Sequence, residues 1–373
     1  MTTAADDGGI PCSRALDEIC DEVVGTPIQR RKTAAMHFRS TASPSFPTCR
    51  PRSLVAAVLA CSAIAWGVTG CGDGGSETAA SGTGAGIQVE SCGRTVTLDA
   101  PAEKIVVIGA ATTDTLVDIG AGDRISGVVS ASARPLPANQ HLFEDLPDLG
   151  DYYPSREALL AHGPDLVIAE QGHVVSGQSG SPTISELEKA GIAVYVGTTG
   201  CGTIDGTYAT DLTAVFDDIE RIGTLVGEEA AAATLVGRLE QRMTDVGDKV
   251  RGATPVKVVM MSLIGSDLYV SSGGMTADIL DGAGAVNLVD NDQETLVYSK
   301  EQIAELDPEA FIFFPSISES EARRYLRDNF PTTGAVKNDR LFVINPDLAG
   351  TTGPRQVQAV EDFARFLHPD RFA

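Results

Sequence analysis

Nucleophiles, metal-ligating side chains and phosphate-binding loops are the features that could do chemistry. The 373-residue chain has five histidines, and their spacing is not that of a metal site. The glycine-rich SSGGM at 271–275 lacks the lysine of a phosphate loop and the G-x-G-x-x-G spacing of a dinucleotide site. No nucleophile elbow occurs either. We therefore predict no catalytic residue, no enzyme activity, no intrinsic metal ion and no cofactor.

Cys71 has surroundings that predict modification of its thiol. Arg50 and Arg52 precede an apolar run at 54–66, which is shorter than the roughly 20 residues of a membrane-spanning helix. The run leads into VTGC at 68–71. This order resembles a bacterial lipobox, in which the cysteine thiol accepts a diacylglycerol. We expect lipid attachment at Cys71 on the outer face of the cell membrane, the alternative being a buried helix with an incidental cysteine.

The chain around Cys71 predicts an export segment followed by a tether. Residues 1–35 are polar and acidic, unlike the start of a signal peptide, so we place the true start at Met36. Residues 1–70 are then the export segment. Residues 71–86 are rich in glycine, serine and alanine and should behave as flexible coil.

The remaining cysteines form a natural pair. Four of the seven cysteines precede Cys71 and would leave with the export segment. In an oxidising compartment we expect Cys92 and Cys201 to form a disulfide. Two separate buried thiols are the alternative. A zinc site is not expected, because two cysteines without nearby histidines fall short of four ligands.

Composition limits the class of partner. The net charge of −23 argues against a nucleic-acid surface, because phosphate binding needs clustered lysine and arginine. The apolar fraction of 43% is enough to build real cores. The length suits two lobes plus an export segment.

The body of the chain repeats one unit. SREAL at 155–159 leads to PDLVI at 164–168, and SKEQI at 299–303 leads to PEAFI at 308–312 with the same spacing. Each copy predicts a serine N-cap, an acidic residue in the first turn, a short helix, a proline stop and a buried strand. The two halves of the body should therefore be built alike.

Strand and helix patterns also open each half. We predict a strand at 104–108 and a helix at 113–120 in the first half, and a strand at 257–261 and a helix at 276–282 in the second. This alternation is typical of the α/β fold class. We predict two Rossmann-like lobes, each with a parallel sheet.

The segment between the halves predicts a stiff connection. Apolar residues keep approximate helical spacing across 211–251, with no proline. We predict one long backbone helix there, between an N-terminal lobe at 87–210 and a C-terminal lobe at 252–373. Such a connection should allow only small lobe closure.

The order and spacing of five segments resemble those of a known family. The resemblance runs from about residue 89 to the C-terminus and is carried by KIVVIGAATTDTLVDIGAGDRISGV, LGDYYPSREALLAHGPDLVIAE, LYVSSGGMTADILDGAGAVNLVD, YSKEQIAELDPEAFIFF and AVKNDRLFVINPDLAGTTGPRQVQAVEDFARFLHP. These segments, with the lipobox, resemble the helical-backbone substrate-binding proteins of ABC importers for iron-siderophores, haem and vitamin B12. The resemblance implies a monomeric receptor that delivers a small-molecule iron chelate to a permease dimer. A surface lipoprotein without a transport role is the alternative class.

The resemblance also implies a role for the repeated glutamates. In the family, one glutamate per lobe docks on arginines of the membrane permease, and the matching positions are Glu157 and Glu301. Two exposed carboxylates on paired helices suit charge-assisted contacts with a two-fold symmetric partner. The alternative is that each glutamate only complements its own helix dipole.

Ligands of open α/β sheets bind at the carboxyl ends of the strands, which gives the candidate ligand residues. Tyr152 and Tyr153 could stack on a planar or chelated ligand, although one of them could instead belong to the core. Thr112 follows the first strand, and His173 lies in the EQGH loop, where a lone histidine is more often a simple polar loop residue. Tyr298 ranks second, together with Tyr269.

Arg355, in the turn that opens the last helix, is the predicted cation of the cleft. Its guanidinium could fork onto carboxylate, catecholate or hydroxamate oxygens, and a surface arginine capping the turn is the alternative. The only tryptophan, Trp66, leaves with the export segment, so the stacking of some vitamin B12 binders is lacking. By exclusion and by Arg355, a ferric siderophore is the expected ligand, with haem and cobalamin as alternatives.

Overall fold

The computed structural model describes residues 86–129, 136–142, 144–207, 209–289, 291, 295–314, 316–345 and 353–373. Cys71, the export segment and almost all of the predicted tether lie outside the described residues. Residues 84–373 form one compact unit. Within the described part of the chain, no helix combines the length and the apolar character needed to cross a bilayer.

The N-terminal lobe is built on a four-stranded parallel sheet. Its elements are β1 (Ile87–Ser91), β2 (Arg94–Leu98), β3 (Ile105–Ile108), α1 (Ala110–Asp118), β4 (Ile125–Val128), α2 (Arg156–His162), β5 (Leu166–Ala169), α3 (Ile184–Lys189) and β6 (Ala193–Val196). The sheet has the order β4-β3-β5-β6 with all pairs parallel. Every residue of β3 and β5 is buried, as expected for strands covered on both faces.

A short antiparallel ribbon of β1 and β2 lies beside β6, the edge strand of that sheet. The Ser91 hydroxyl donates to the Val196 carbonyl and accepts from the Val196 N–H, both at 2.9 Å, so it partly occupies the open edge. Cys92, in the turn of the ribbon, forms a disulfide with Cys201, in agreement with the predicted pair. The disulfide ties the ribbon to the loop that follows β6.

The C-terminal lobe contains a larger, mixed sheet. The rest of the chain forms α4 (Thr213–Val226), α5 (Glu229–Val250), β7 (Val256–Ile264), β8 (Asp267–Ser271), α6 (Met275–Gly282), β9 (Ala285–Asn287), β10 (Thr295–Tyr298), α7 (Lys300–Leu306), β11 (Ala310–Phe313), α8 (Glu319–Asn329), α9 (Gly334–Lys337), β12 (Leu341–Val343) and α10 (Pro354–Leu367). The sheet has the order β10-β8-β7-β11-β12, and β9 also pairs with β7. The α/β fold class is confirmed, but β8 and β10 run antiparallel, so this sheet is not purely parallel as predicted.

The connection between the lobes is two helices, which corrects the prediction of one helix over 211–251. α4 ends at Val226, where Gly227 caps the helix with a left-handed φ of 70°, and α5 begins at Glu229. A Cβ on Gly223 would lie 2.4 Å from the Cβ of Ala232, so glycine is what allows α4 and α5 to pack closely. α5 alone, with 22 residues, passes from lobe to lobe and is roughly 33 Å long.

The lobes share one core. A single cluster of buried side chains includes Ile105 and Ile168 of the first sheet, Leu235 of α5, and Val258 and Ile312 of the second sheet. Each lobe has a further cluster on the other face of its sheet. Because the same core continues through α5 into both sheets, the lobes are packed against a common helical backbone.

Candidate functional site

Three aromatic side chains meet at the carboxyl end of the N-terminal sheet. The Tyr152 hydroxyl and Nε2 of His173 are joined by a hydrogen bond of 3.0 Å, and their rings stack with centroids 5.7 Å apart. Tyr153 stands edge-on to both, at 5.1 Å from Tyr152 and 5.9 Å from His173. We call Tyr152, Tyr153 and His173 the aromatic cluster. The structure therefore brings together three of the predicted ligand residues.

Burial controls the protonation of the aromatic cluster. Desolvation, with a smaller effect of Tyr153, raises the pKa of the Tyr152 phenol, and desolvation lowers the pKa of His173. Both groups are therefore neutral near pH 7. A neutral phenol and a neutral imidazole can stack on a flat ligand, exchange hydrogen bonds with it or ligate a metal centre that it carries.

Thr112 lies in the floor below the strand ends. Its backbone N–H donates to Glu170 Oε1 at 3.0 Å, and Thr112 and Glu170 are 6% and 8% exposed. A cavity of about 20 Å³, the size for one water, is lined by both residues and by Asp218. The Tyr195 hydroxyl donates to Asp218 at 2.5 Å, and burial raises the pKa of Asp218. Thr112 belongs to this polar floor, not to an open cleft wall.

Arg355 is the largest departure from the predicted site. Its guanidinium is ion-paired with Asp114 of α1, and the two side chains are 3% and 4% exposed. The pair joins the start of α10 in one lobe to α1 in the other. A buried guanidinium neutralised by a carboxylate does not fit the ligand-binding role predicted for Arg355. The sequence placed Arg355 in the correct turn but gave no sign that Asp114 would lie against it.

The second-rank tyrosines lie on the antiparallel strands of the C-terminal lobe. Tyr298, opposite Leu268 in the ladder, packs against the core cluster of that lobe, so its ring is partly buried. Tyr269 lies opposite Val297, a residue that is 60% exposed. Of the two, Tyr269 is on the more open face. Neither lies in the aromatic cluster.

The predicted docking glutamates occupy matching places. Glu157 and Glu301 are both exposed in the first turns of α2 and α7, behind the N-caps Ser155 and Ser299. Hydrogen bonds from its own backbone N–H and from the Ser299 hydroxyl lower the pKa of Glu301. The repeat therefore presents one carboxylate on each lobe, at the start of a short helix.

The sequence interpretation missed the buried carboxylates of the floor and of the lobe contact. Glu170 comes directly after the fully buried β5, and Asp114 lies in the middle of α1. An acidic residue next to a buried apolar strand is the signal that could have identified Glu170. Among the described residues, no group of three or more histidine, cysteine or acidic side chains is arranged to hold a metal ion.

A second cavity, of about 450 Å³, lies at the edge of the C-terminal sheet. Phe342 and Phe363 line it, together with Ser318 and Glu319 at the start of α8. It borders β12, an edge strand, and its lining includes none of the predicted ligand residues. The aromatic cluster, where those residues converge, is therefore the better candidate for ligand recognition.

Known proteins resemble the chain over most of its length. The profile of the family described as periplasmic binding protein matches residues 105–348. An uncharacterised ABC transporter substrate-binding lipoprotein of Bacillus subtilis, YvrC, is 26% identical over 281 residues, which cover 74% of this chain and 83% of that protein.

A cobalamin-binding protein of Halobacterium salinarum is 22% identical, with coverage of 73% of this chain and 71% of that protein. A solved structure of an ABC-type Fe3+-hydroxamate transport system from Saccharomonospora viridis matches with a TM-score of 0.62 and 26% identity. That match covers 75% of this chain and 98% of the other.

Proposed function

Because this chain belongs to the periplasmic binding protein family, we propose that it is the receptor of an ABC importer that captures a ferric siderophore between its lobes. The aromatic cluster at the carboxyl end of the N-terminal sheet supports this proposal most directly, since it offers stacking faces and neutral polar groups where such sheets bind ligands. The protein acts by binding and release, without turnover.

The charges near the cluster favour a chelate with little net charge. The cation predicted for the cleft, Arg355, is neutralised by Asp114, and the chain carries a net charge of −23. A highly anionic catecholate complex would meet an unfavourable field there. A neutral ferric hydroxamate would not, and the Saccharomonospora viridis protein is described as an Fe3+-hydroxamate transport system.

A tetrapyrrole is the second candidate. Phenol and imidazole are both metal-ligating groups, and those of Tyr152 and His173 lie 3.0 Å apart on stacked rings. The flat ring of haem or the corrin of cobalamin could lie against Tyr153. The Halobacterium salinarum relative, named a cobalamin-binding protein, agrees with this candidate.

Calorimetric titration of the receptor distinguishes the ligands. The panel is a ferric hydroxamate siderophore, a ferric catecholate siderophore, haemin and cyanocobalamin. We expect saturable binding of the hydroxamate, weakened by Tyr153→Ala in the aromatic cluster and unchanged by Tyr269→Ala in the other lobe. Binding of haemin or cyanocobalamin alone would refute the siderophore proposal. Binding of none of the four compounds would count against both the siderophore and the tetrapyrrole proposals.

Glu157 and Glu301 are proposed to dock the receptor on arginines of the permease dimer. Both are exposed on matching helices, one per lobe. Reversing both charges, with Glu157→Arg and Glu301→Arg, should abolish uptake while ligand affinity stays at the wild-type value. Loss of ligand affinity in the same variant would show that the carboxylates serve the fold or the cleft instead.

Attachment through a lipid on Cys71 completes the proposal. A receptor held near its permease by a tether docks at a high local concentration. YvrC, a relative over most of its length, is described as a lipoprotein. Replacing Cys71 with alanine should release the protein from the membrane fraction and prevent incorporation of labelled palmitate. Unchanged membrane association would contradict the assignment.

A further inference from the structure

A basic residue stands between the serine cap and the docking glutamate in both lobes. In the N-terminal lobe it is Arg156, whose Nη2 donates to the Ser181 carbonyl at 3.0 Å and lies 3.4 Å from Glu186 Oε2. The Glu186 carboxylate in turn accepts the Thr183 N–H at 2.8 Å, within the capping box of α3. Arg156 thus connects the docking helix α2 to the beginning of α3.

The C-terminal lobe uses different chemistry at the same position. Lys300 Nζ donates to Asn329 Oδ1 at 2.7 Å and lies 5.3 Å from the ring centroid of Tyr325. Both partners belong to α8, of which Asn329 is the last residue. Lys300 makes a hydrogen bond and a cation–π contact, so it connects the docking helix α7 to a neighbouring helix, as Arg156 does.

In these contacts each cation bonds to a neighbouring element of its lobe and not to the glutamate beside it in sequence. Among the groups that lower the pKa of Glu301, the charge of Lys300 contributes less than the hydrogen bonds of the backbone and Ser299. The ammonium is committed to α8, so it does not pair with the docking carboxylate. The negative charge of Glu301 therefore remains available to an arginine of a partner.

We propose that Arg156 and Lys300 are positioning residues of the two docking surfaces, an inference that rests on the proposed docking role of Glu157 and Glu301. They fix the rotation of α2 and α7 on their lobes, and they bond to neighbouring elements instead of forming an ion pair with the adjacent glutamate. Two carboxylates held in a fixed relation lose less conformational freedom when a two-fold partner binds both. Stability alone does not explain the contacts, because ion pairs as exposed as Arg156 and Glu186 contribute little to it.

A double-mutant cycle on Lys300 and Asn329 tests the proposal. The lipidated receptor is assayed for affinity to its own permease complex in nanodiscs, with Lys300→Met, Asn329→Leu and the double variant. We expect each single variant to weaken docking by about three- to tenfold, and the double variant to do no worse than either, as for residues acting through one contact. Lys300→Arg, which keeps both contacts, should restore affinity. Lys337→Met, an exposed lysine on α9, is the matched control.

Three results would overturn the proposal. Docking could be unchanged in Lys300→Met, or stronger because a compensating charge has been removed. Docking could also be weakened by Lys300→Met but not by Asn329→Leu, which would mean that the ammonium contacts the permease itself. Ligand affinity and thermal unfolding are measured in parallel, since a general loss of structure would lower both.

Variants of the two glutamates distinguish the positioning role of the basic residues from the docking role on which it rests. If Glu157→Gln with Glu301→Gln leaves docking intact, the docking proposal fails and the positioning role falls with it. If the glutamine variants lose docking while Lys300→Met and Asn329→Leu keep it, only the positioning role fails.

Discussion

The two lobes share a serine-capped helix and the buried strand after it, but they differ in the chain that leads into the helix. In the N-terminal lobe a bend carries Tyr152 and Tyr153 towards His173. In the C-terminal lobe the same place is occupied by β10, which pairs with β8 and directs Tyr298 towards the core. The shared helix presents a carboxylate in both lobes, whereas the aromatic cluster occurs in one. We infer that docking is a duplicated function and ligand recognition an asymmetric one.

The largest effect on stability is expected from the Arg355–Asp114 ion pair, which joins the two unlike lobes. Replacing Arg355 with methionine should destabilise the protein by about 3–5 kcal/mol, because the buried carboxylate of Asp114 would lose its cation. Urea unfolding followed by circular dichroism measures the change. Combining Arg355→Met with Asp114→Leu should recover much of the loss, since no unpaired charge remains. A loss of less than about 1 kcal/mol in the single variant would indicate an accessible, hydrated pair.

The disulfide should stabilise one lobe far more than the other. Cys92 and Cys201 both belong to the N-terminal lobe and are 109 positions apart, so the bond restrains a long loop in the unfolded chain. Replacing both cysteines with serine should cost about 2–5 kcal/mol. Hydrogen exchange should increase in the N-terminal lobe and change little in β11 and α8. Equal increases in both lobes would contradict a local effect.

The N-caps of α2 and α7 allow a matched comparison between the lobes, with a smaller expected change in the free energy of unfolding. Ser155 accepts only the Ala158 N–H, whereas Ser299 is part of a capping box in which Gln302 also accepts the Ser299 N–H. Replacing either serine with alanine should cost about 0.5–2 kcal/mol, with the larger value for Ser299. Gln302→Ala should reduce the difference, because it leaves Ser299 with a single bond. Equal costs in urea unfolding would show that the box adds nothing.

The sequence predicted the parts of the fold that depend on local patterns. The repeated Ser–basic–Glu segment located the N-caps of α2 and α7, and the strand predicted at 257–261 lies inside β7. Helix caps and buried runs are set by neighbouring residues, so one sequence is enough to find them. The same holds for the aromatic cluster in part, because Tyr152 and Tyr153 precede a predicted helix at a strand end.

Features that depend on distant contacts were not predictable in this way. The helical spacing across 211–251 continues through Gly227, and its left-handed φ follows from how α5 returns against α4. The direction of β8, which runs antiparallel to both of its neighbours β7 and β10, depends on how the strands pair, since period and composition do not show strand direction. The Arg355–Asp114 pair joins residues of separate lobes, and only the packing of α10 on α1 brings them together.

Mild acid should weaken the lobe that holds the aromatic cluster, through the protonation of His173. Burial keeps the pKa of His173 below its usual value of about 6.5, so the unfolded chain takes up this proton more readily than the folded one. The stabilisation from neutral His173 is complete above about pH 6.5, and it is lost as the pH falls towards the lower pKa of the folded state.

The expected loss in the free energy of unfolding is smaller than that from removing a helix cap, because His173 is only half-buried and solvent screens its charge. Urea midpoints at about pH 7.5 and about pH 5 should differ less in His173→Gln than in the wild type, since glutamine keeps a partner for the Tyr152 hydroxyl but takes up no proton. His162, whose pKa is also lowered by burial and by Lys104, serves as the comparison within the same lobe. If His162→Gln removed the whole acid effect and His173→Gln removed none, the acid sensitivity would belong to the contact between the end of α2 and β4 and not to the ligand site.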